Sequence, residues 1–219
     1  MNREQLIRSI ETNKLIVIVR GVSSDAIIPL GEAMYDGGVR LMEITYEADG
    51  SKDDVVAASI HEAVKHFGGR MGIGAGTVLS EKQVRLTRHA GGEFIISPNV
   101  DEKVIYLTRK LDMVSIPGAY TPTEIQYANQ CGADFVKVFP ITCLGPEYIH
   151  AVTAPLSHIK LLAVGGISET NIGQYLSSGI VGFGVSTNIV NKDLIKRGDW
   201  AGLTALAKRY TDQLVCFSN

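Results

Sequence analysis

The stretch Asp112–Pro140, DMVSIPGAYTPTEIQYANQCGADFVKVFP, holds one complete strand–helix–strand unit. The runs DMVSI (Asp112–Ile116) and DFVKVF (Asp134–Phe139) are short, apolar and β-branched, the composition of buried strands. Between them, Thr121-Pro122-Thr123-Glu124 is a helix start: a hydroxyl to cap, a proline in the first turn and a carboxylate three residues on. The helix is expected over Thr123–Cys131.

The same unit recurs in both directions. Strand-like runs are LIVIVR (Leu15–Arg20), RLMEIT (Arg40–Thr45), MGIGAG (Met71–Gly76), EFIIS (Glu93–Ser97), KLLAVG (Lys160–Gly165) and VGFGVS (Val181–Ser186). Helix-like segments separate them at Asp25–Gly37, Asp53–Phe67, Ser80–Ala90, Asp101–Lys110, Pro146–Val152 and Glu169–Ser177, with an eighth at Trp200–Val215. Eight such units make a (β/α)8 TIM barrel, its base closed by an N-terminal helix, in a single domain over residues 1–219. A doubly wound open sheet shares the alternation; the count of eight favours the barrel.

Composition narrows the function. Net charge is −2 and no polybasic stretch is present, so neither nucleic acid nor an anionic membrane surface is an expected partner. The longest apolar runs are too short to span a bilayer, and MNREQLIRSIETNK lacks an apolar signal core, which points to a cytoplasmic protein. Three cysteines (Cys131, Cys143, Cys216), with no CxxC pair, read as reduced thiols. The five histidines form no ligand cluster, so no metal and no cofactor are expected.

Lys137 is out of place in an apolar strand, where an ammonium is costly unless something uses it. Alternation puts Phe135, Lys137 and Phe139 on one face, and Leu41, Glu43 and Thr45 on another. If both faces point into the barrel, Lys137 and Glu43 converge near the C-terminal strand ends, where barrels carry their chemistry. Apolar surroundings lower a lysine's pKa, and a neutral amine attacks a carbonyl to give an imine that stabilises a neighbouring carbanion. A buried carboxyl such as Glu43 suits the accompanying proton transfers. Glycine-rich GIGAGT (Gly72–Thr77) lacks the GxGxxG spacing of a dinucleotide site; close backbone approach to the pocket, with a Thr77 hydroxyl, is the better reading. AVGGIS, with Gly165 and Gly166, and GVSTN, with Ser186 and Thr187, follow strands seven and eight, where such barrels bind phosphate.

GGVRLMEIT, GAGTVL, ISPN, IPGAYTPTE, FVKVFP, LGPEYI and AVGGIS, in this order and spacing, resemble the class I 2-keto-3-deoxy-6-phosphogluconate (KDPG) and 4-hydroxy-2-oxoglutarate (KHG) aldolase family over residues 5–200. The resemblance implies that Lys137 forms a Schiff base with pyruvate and that Glu43 is the general acid and base. It implies that Thr77 and Pro98 line the pyruvate site, that Gly165, Gly166 and a hydroxyl near Thr187 hold a distal phosphate, and that the protein is a homotrimer. The reaction implied is reversible cleavage of a 2-keto-3-deoxy-6-phospho-sugar acid to pyruvate and glyceraldehyde 3-phosphate, or of 4-hydroxy-2-oxoglutarate to pyruvate and glyoxylate. Three positions depart from the pattern. Glu47 stands where some members carry an arginine, leaving Arg20 as the candidate for the substrate carboxylate. Val164-Gly165-Gly166 replaces Thr-Gly-Gly, as in the 2-keto-3-deoxy-6-phosphogalactonate branch. Ser186-Thr187 replaces a glycine–serine pair. A phosphosugar isomerase or synthase on the same barrel, and a silent sugar-acid-binding relative, are the alternatives.

Overall fold

Capping chemistry sets the helix boundaries much as the sequence suggests. Thr121 and Glu124 form a reciprocal capping box, with Pro122 in the first turn. Ser80 accepts from the Gln83 N–H, and Asp101 from those of Lys103 and Val104. The computed structural model describes residues 1–216, without the side chain of Cys216. The expectation of a reduced thiol there lies outside what is described; Cys131 and Cys143 are free.

In chain order the elements are α1 (Arg3–Asn13), β1 (Leu15–Val19), α2 (Ser24–Asp36), β2 (Leu41–Thr45), α3 (Asp53–Phe67), β3 (Gly72–Gly76), α4 (Glu81–His89) and β4 (Phe94–Ile96). There follow α5 (Glu102–Lys110), β5 (Val114–Ile116), β6 (Gly118–Ala119), α6 (Pro122–Gln130), β7 (Val136–Val138) and α7 (Gly145–Thr153). The chain continues with β8 (Leu161–Val164), α8 (Ile172–Leu176), β9 (Gly182–Val185), α9 (Lys192–Arg197) and α10 (Trp200–Cys216).

All strand pairings are parallel, in the order β5-β4-β3-β2-β1-β9-β8-β7-β6. The two outer segments, β5 and β6, are halves of one strand, separated only by Pro117. The first half pairs with β4 and the second with β7, so the fifth strand closes the ring. Proline has no N–H to give the ladder, and its carbonyl accepts instead from Lys137 N at 2.9 Å. The eight expected strands are therefore nine segments of a barrel, and the fifth runs three residues beyond DMVSI. Two other elements differ from expectation. α8 starts at Ile172 rather than Glu169, because Ser168 N–H donates to the Asn171 side chain and the intervening residues form a turn. α9 was not expected; Asn191 caps it and Gly198, with φ 65°, ends it.

Two apolar layers form the core. The larger lies between the barrel wall and the surrounding helices. The smaller fills the barrel: Ile16, Leu41, Phe94, Ile96, Val114, Ile116, Phe135 and Leu162 meet Leu6 and Ile10 of α1. Leu6 and Ile10 are fully buried, so α1 is the plug in the base. Arg3 pairs with Asp134, which also takes Arg109, anchoring the plug beside the start of β7. β3 makes room for large neighbours: a Cβ at Gly74 would lie 2.3 Å from the Phe94 ring, and one at Gly72 would lie 2.8 Å from Leu6.

Removing part of the plug leaves a cavity that rigid strands cannot fill. Leu6→Ala is expected to destabilise the protein by about 2–5 kcal/mol, read from the denaturant midpoint. A change within a few tenths would mean that α1 does not close the base.

Candidate active site

Leu41 and Phe135 belong to the layer inside the barrel. Two residues further along each strand, on the same face, stand Glu43 and Lys137. All nine candidate catalytic and substrate-binding residues named from the sequence line one cavity of about 380 Å³ at the C-terminal strand ends. Lys137 and Glu43 form its depth, Arg20, Thr77 and Pro98 one side, and Gly165, Gly166, Ser186 and Thr187 the other.

Lys137 is 7% exposed and Glu43 is 1% exposed. Burial pushes the Glu43 carboxyl up to about 7, against the pull of the Lys137 and Arg20 charges. Burial likewise pushes the Lys137 ammonium below its usual range; Glu43 opposes that shift and Arg20 adds to it. The two groups share a cavity without forming an ion pair. Among the described residues neither makes a hydrogen bond, and Glu43 Oε2 is buried with no partner. Desolvation therefore works against the charged form of both. The Lys137 Nζ lies 4.4 Å from the centre of the Phe139 ring.

Arg20 is exposed, and its Nη2 donates to Thr77 Oγ1 at 2.7 Å. Thr77 has φ 55°, a left-handed conformation uncommon for a β-branched residue. Opposite, Gly165 and Gly166 have φ 94° and 80°, and a Cβ on Gly166 would lie 2.4 Å from Thr142 Oγ1. Asn171 holds this turn, donating from Nδ2 to the Gly166 carbonyl at 2.8 Å while its Oδ1 accepts from Ser168 N. Asn188 Nδ2 donates to the Ile167 carbonyl at 2.8 Å, tying the loop after β9 to the loop after β8.

Two expectations are sharpened by this geometry. The Ser186 hydroxyl donates to the Ile18 carbonyl at 3.0 Å, so its proton is committed to β1, while the Thr187 side chain stands exposed at the rim. Glu47 does not line the Lys137 cavity. It lines a neighbouring cavity of about 430 Å³, together with Lys52 and residues of α2 and α3. Sequence reasoning did not single out Ile18, Phe139, Val164, Ile167, Gly184, Val185 and Asn188 as lining residues, or Asn171 as the support behind them. Phe139 was signalled by its place on the Lys137 face; the asparagines gave no periodic signal. Among the described residues, no group of His, Cys, Asp or Glu side chains could hold a metal ion, and no helix is long and apolar enough to cross a membrane.

A parallel barrel with a buried amine and carboxyl at its C-terminal mouth defines a class of barrel enzyme. Residues 6–206 match the family model of the KDPG and KHG aldolases, and the chain belongs to that family. A probable 2-dehydro-3-deoxy-6-phosphogalactonate aldolase of Rhizobium meliloti (strain 1021) is 38% identical over 176 residues, 80% of this chain and 81% of its own. The 2-dehydro-3-deoxy-phosphogluconate aldolase of Haemophilus influenzae is 28% identical over 213 residues, 95% of this chain and 96% of its own. Among solved structures, native KDPGal superposes with a TM-score of 0.83 at 30% identity, covering 93% of this chain and 95% of its own.

The Glu43 shift has a thermodynamic sign. The unfolded chain releases this proton near 4.5, whereas the folded protein holds it to about 7. Stability is lost as pH rises through that window, because the unfolded chain has released the proton that the folded protein still holds. Glu43→Gln has no proton to lose. Its melting temperature is expected to exceed that of the wild type more at pH 8 than at pH 5; an equal gap at both would contradict the assigned shift.

Proposed function

We propose that the protein is a class I aldolase that reversibly cleaves a 2-keto-3-deoxy-6-phospho-sugar acid to pyruvate and glyceraldehyde 3-phosphate, with Lys137 as the imine-forming residue and Glu43 as the acid and base. The observation that carries this reading is the pair itself: a buried amine and a buried carboxyl in one cavity, unpaired and both driven towards neutrality.

The chemistry follows from those protonation states. The Lys137 nitrogen lone pair adds to the C2 carbonyl of the keto acid, and the carbonyl oxygen takes the Glu43 proton. The carbinolamine hydroxyl then leaves as water, taking its second proton from the nitrogen, which leaves a protonated imine and Glu43 as the carboxylate. The Glu43 carboxylate then removes the proton of the C4 hydroxyl. The C3–C4 bond breaks, its electron pair moves into the iminium, and an aldehyde departs from an enamine. Protonation at C3 and hydrolysis release pyruvate and restore the amine. No redox partner enters the balance. Arg20, held by Thr77 at the mouth, offers a guanidinium to the substrate carboxylate, and Pro98 borders the pyruvate end. Gly165 and Gly166 offer unobstructed backbone to the distal phosphate. Thr187 supplies a free hydroxyl there, whereas the Ser186 proton is committed to the Ile18 carbonyl and is not offered to the phosphate.

The galactonate epimer is the preferred substrate in this reading. The phosphogalactonate relative is nearer in identity than the phosphogluconate one, and the cavity wall carries Val164 before Gly165-Gly166 together with Arg20 after β1. The branch resembled in sequence shares the valine before the glycine pair. Glu47 faces a separate cavity, so it presents no charge to a phosphate beside Gly166. The family resemblance further supports a cytoplasmic homotrimer of single-domain barrels, for which light scattering after gel filtration is the check.

Borohydride reduction in the presence of pyruvate is expected to add one reduced pyruvyl group to the peptide containing Lys137; an unmodified peptide would remove the proposal. Lys137→Arg is expected to fold but to form no adduct, because a guanidinium is not a nucleophile at neutral pH. Retro-aldol assays on the two phosphorylated epimers, read as pyruvate release, are expected to favour the galactonate form by roughly tenfold or more, about 1.4 kcal/mol in the transition state. Equal rates would overturn the epimer assignment alone.

A further inference from the structure

The acid and base of the proposed reaction has nothing to hold it by hydrogen bonding. Among the described residues neither oxygen of the Glu43 carboxyl has a hydrogen-bond partner, and Oε2 is fully enclosed. A catalytic carboxyl is more often aimed by donors behind it. Here shape alone does the aiming, and the contact that supplies it is on the next strand.

Gly76, the last residue of β3, pairs in register with Thr45 of β2, two residues beyond Glu43. A Cβ at Gly76 would lie 1.4 Å from Glu43 Oε1, 2.3 Å from Cδ and 2.7 Å from Cγ. These are its three nearest contacts, and all belong to Glu43. The Gly76 backbone lies outside the positive-φ region, so residues of any type could adopt its conformation. Glycine is needed here for space alone. The other inward glycines of β3 serve apolar packing: Gly74 accommodates Phe94, and Gly72 accommodates Leu6 and Leu41. Gly76 alone on that strand accommodates an ionisable group.

We propose that Gly76 is a positioning residue for Glu43: its bare Cα is the berth that keeps the carboxyl inside the barrel wall, out of water and free of hydrogen-bond anchors. The functional weight of this inference rests on the aldolase reading, although the berth itself does not. A carboxyl seated by shape has neither oxygen committed to a protein donor. It can donate to the oxygen leaving C2 and later accept from the C4 hydroxyl without first breaking a bond to the protein. A methyl group at residue 76 would displace the carboxyl towards the open mouth. Water there would lower its pKa, and the protonated acid would be depleted at neutral pH.

The test is Gly76→Ala, with two readouts that general loosening of the fold would not reproduce. In the resting enzyme, the Glu43 carboxyl followed by 13C NMR, assigned by its loss in Glu43→Gln, is expected to titrate about one unit or more lower than in the wild type. In turnover, kcat is expected to fall roughly tenfold or more, with the alkaline limb of the pH–rate profile, where the protonated acid is lost, moving to lower pH. Stability supplies the control. Gly76→Ala is expected to lower the melting temperature of the wild type but not that of Glu43→Ala, where the space is vacant. That cycle is readable even if the single variant fails to fold, because Glu43→Ala/Gly76→Ala is expected to fold. Equal destabilisation in both backgrounds, or an unmoved Glu43 titration, overturns the inference. Failure of the borohydride trap with the Glu43 titration moved would instead remove the aldolase reading and leave the berth in place.

Discussion

Desolvating an amine and a carboxyl in one cavity, without letting them neutralise each other as an ion pair, is the condition on which this structure turns. Two unpaired polar groups at that depth are costly, and the fold offsets the cost by shifting both towards their uncharged forms. The apolar layer beneath, built from Leu41, Phe135 and the α1 plug, keeps water from reaching them through the base. The parallel registers set by β2, β3 and β7 fix the height at which each side chain emerges. A one-residue slip in either β2 or β7 would turn Glu43 or Lys137 into the outer layer.

Two means of control meet in the cavity. At Lys137 and Glu43, side-chain shape and burial decide the state of the groups. At the loops after β8 and β9, backbone conformation and tethers fix the wall: two consecutive positive-φ glycines, with Asn171 fastened to one of their carbonyls and Asn188 crossing between loops.

Strand count followed from the alternation of apolar and amphipathic runs, and the meeting of Lys137 with Glu43 from the two-residue period of a strand. The same alternation put Arg20, Thr77 and Pro98 at or just beyond strand ends; that they line one cavity was implied by the family resemblance. The period says nothing once the chain leaves the sheet. Thus the Arg20–Thr77 hydrogen bond, the turning of Ser186 towards Ile18 and the direction of Glu47 were hidden, each depending on a loop whose path is set by neighbours distant in sequence. Short polar α9 lacked the apolar rhythm that reveals longer helices. The division of the fifth strand at Pro117 had a visible cause, but its place as the closing seam emerges only from the pairings of both halves.

The plug in the base also bears on how the chain is made. α1 leaves the ribosome ahead of the strands that receive it: the layer that holds Leu6 includes Phe135 and Leu162. β1, directly after it, takes one of its two partners from β9. Synthesis therefore delivers an amphipathic helix well before the seat of its apolar face is built, and the native contacts that protect that face are separated by most of the chain. Such long-range closure slows folding and leaves the early segment exposed to association with other chains. The polar face of α1, rich in charged residues such as Arg3, Glu4, Arg8 and Glu11, gives the nascent helix a soluble side during that interval.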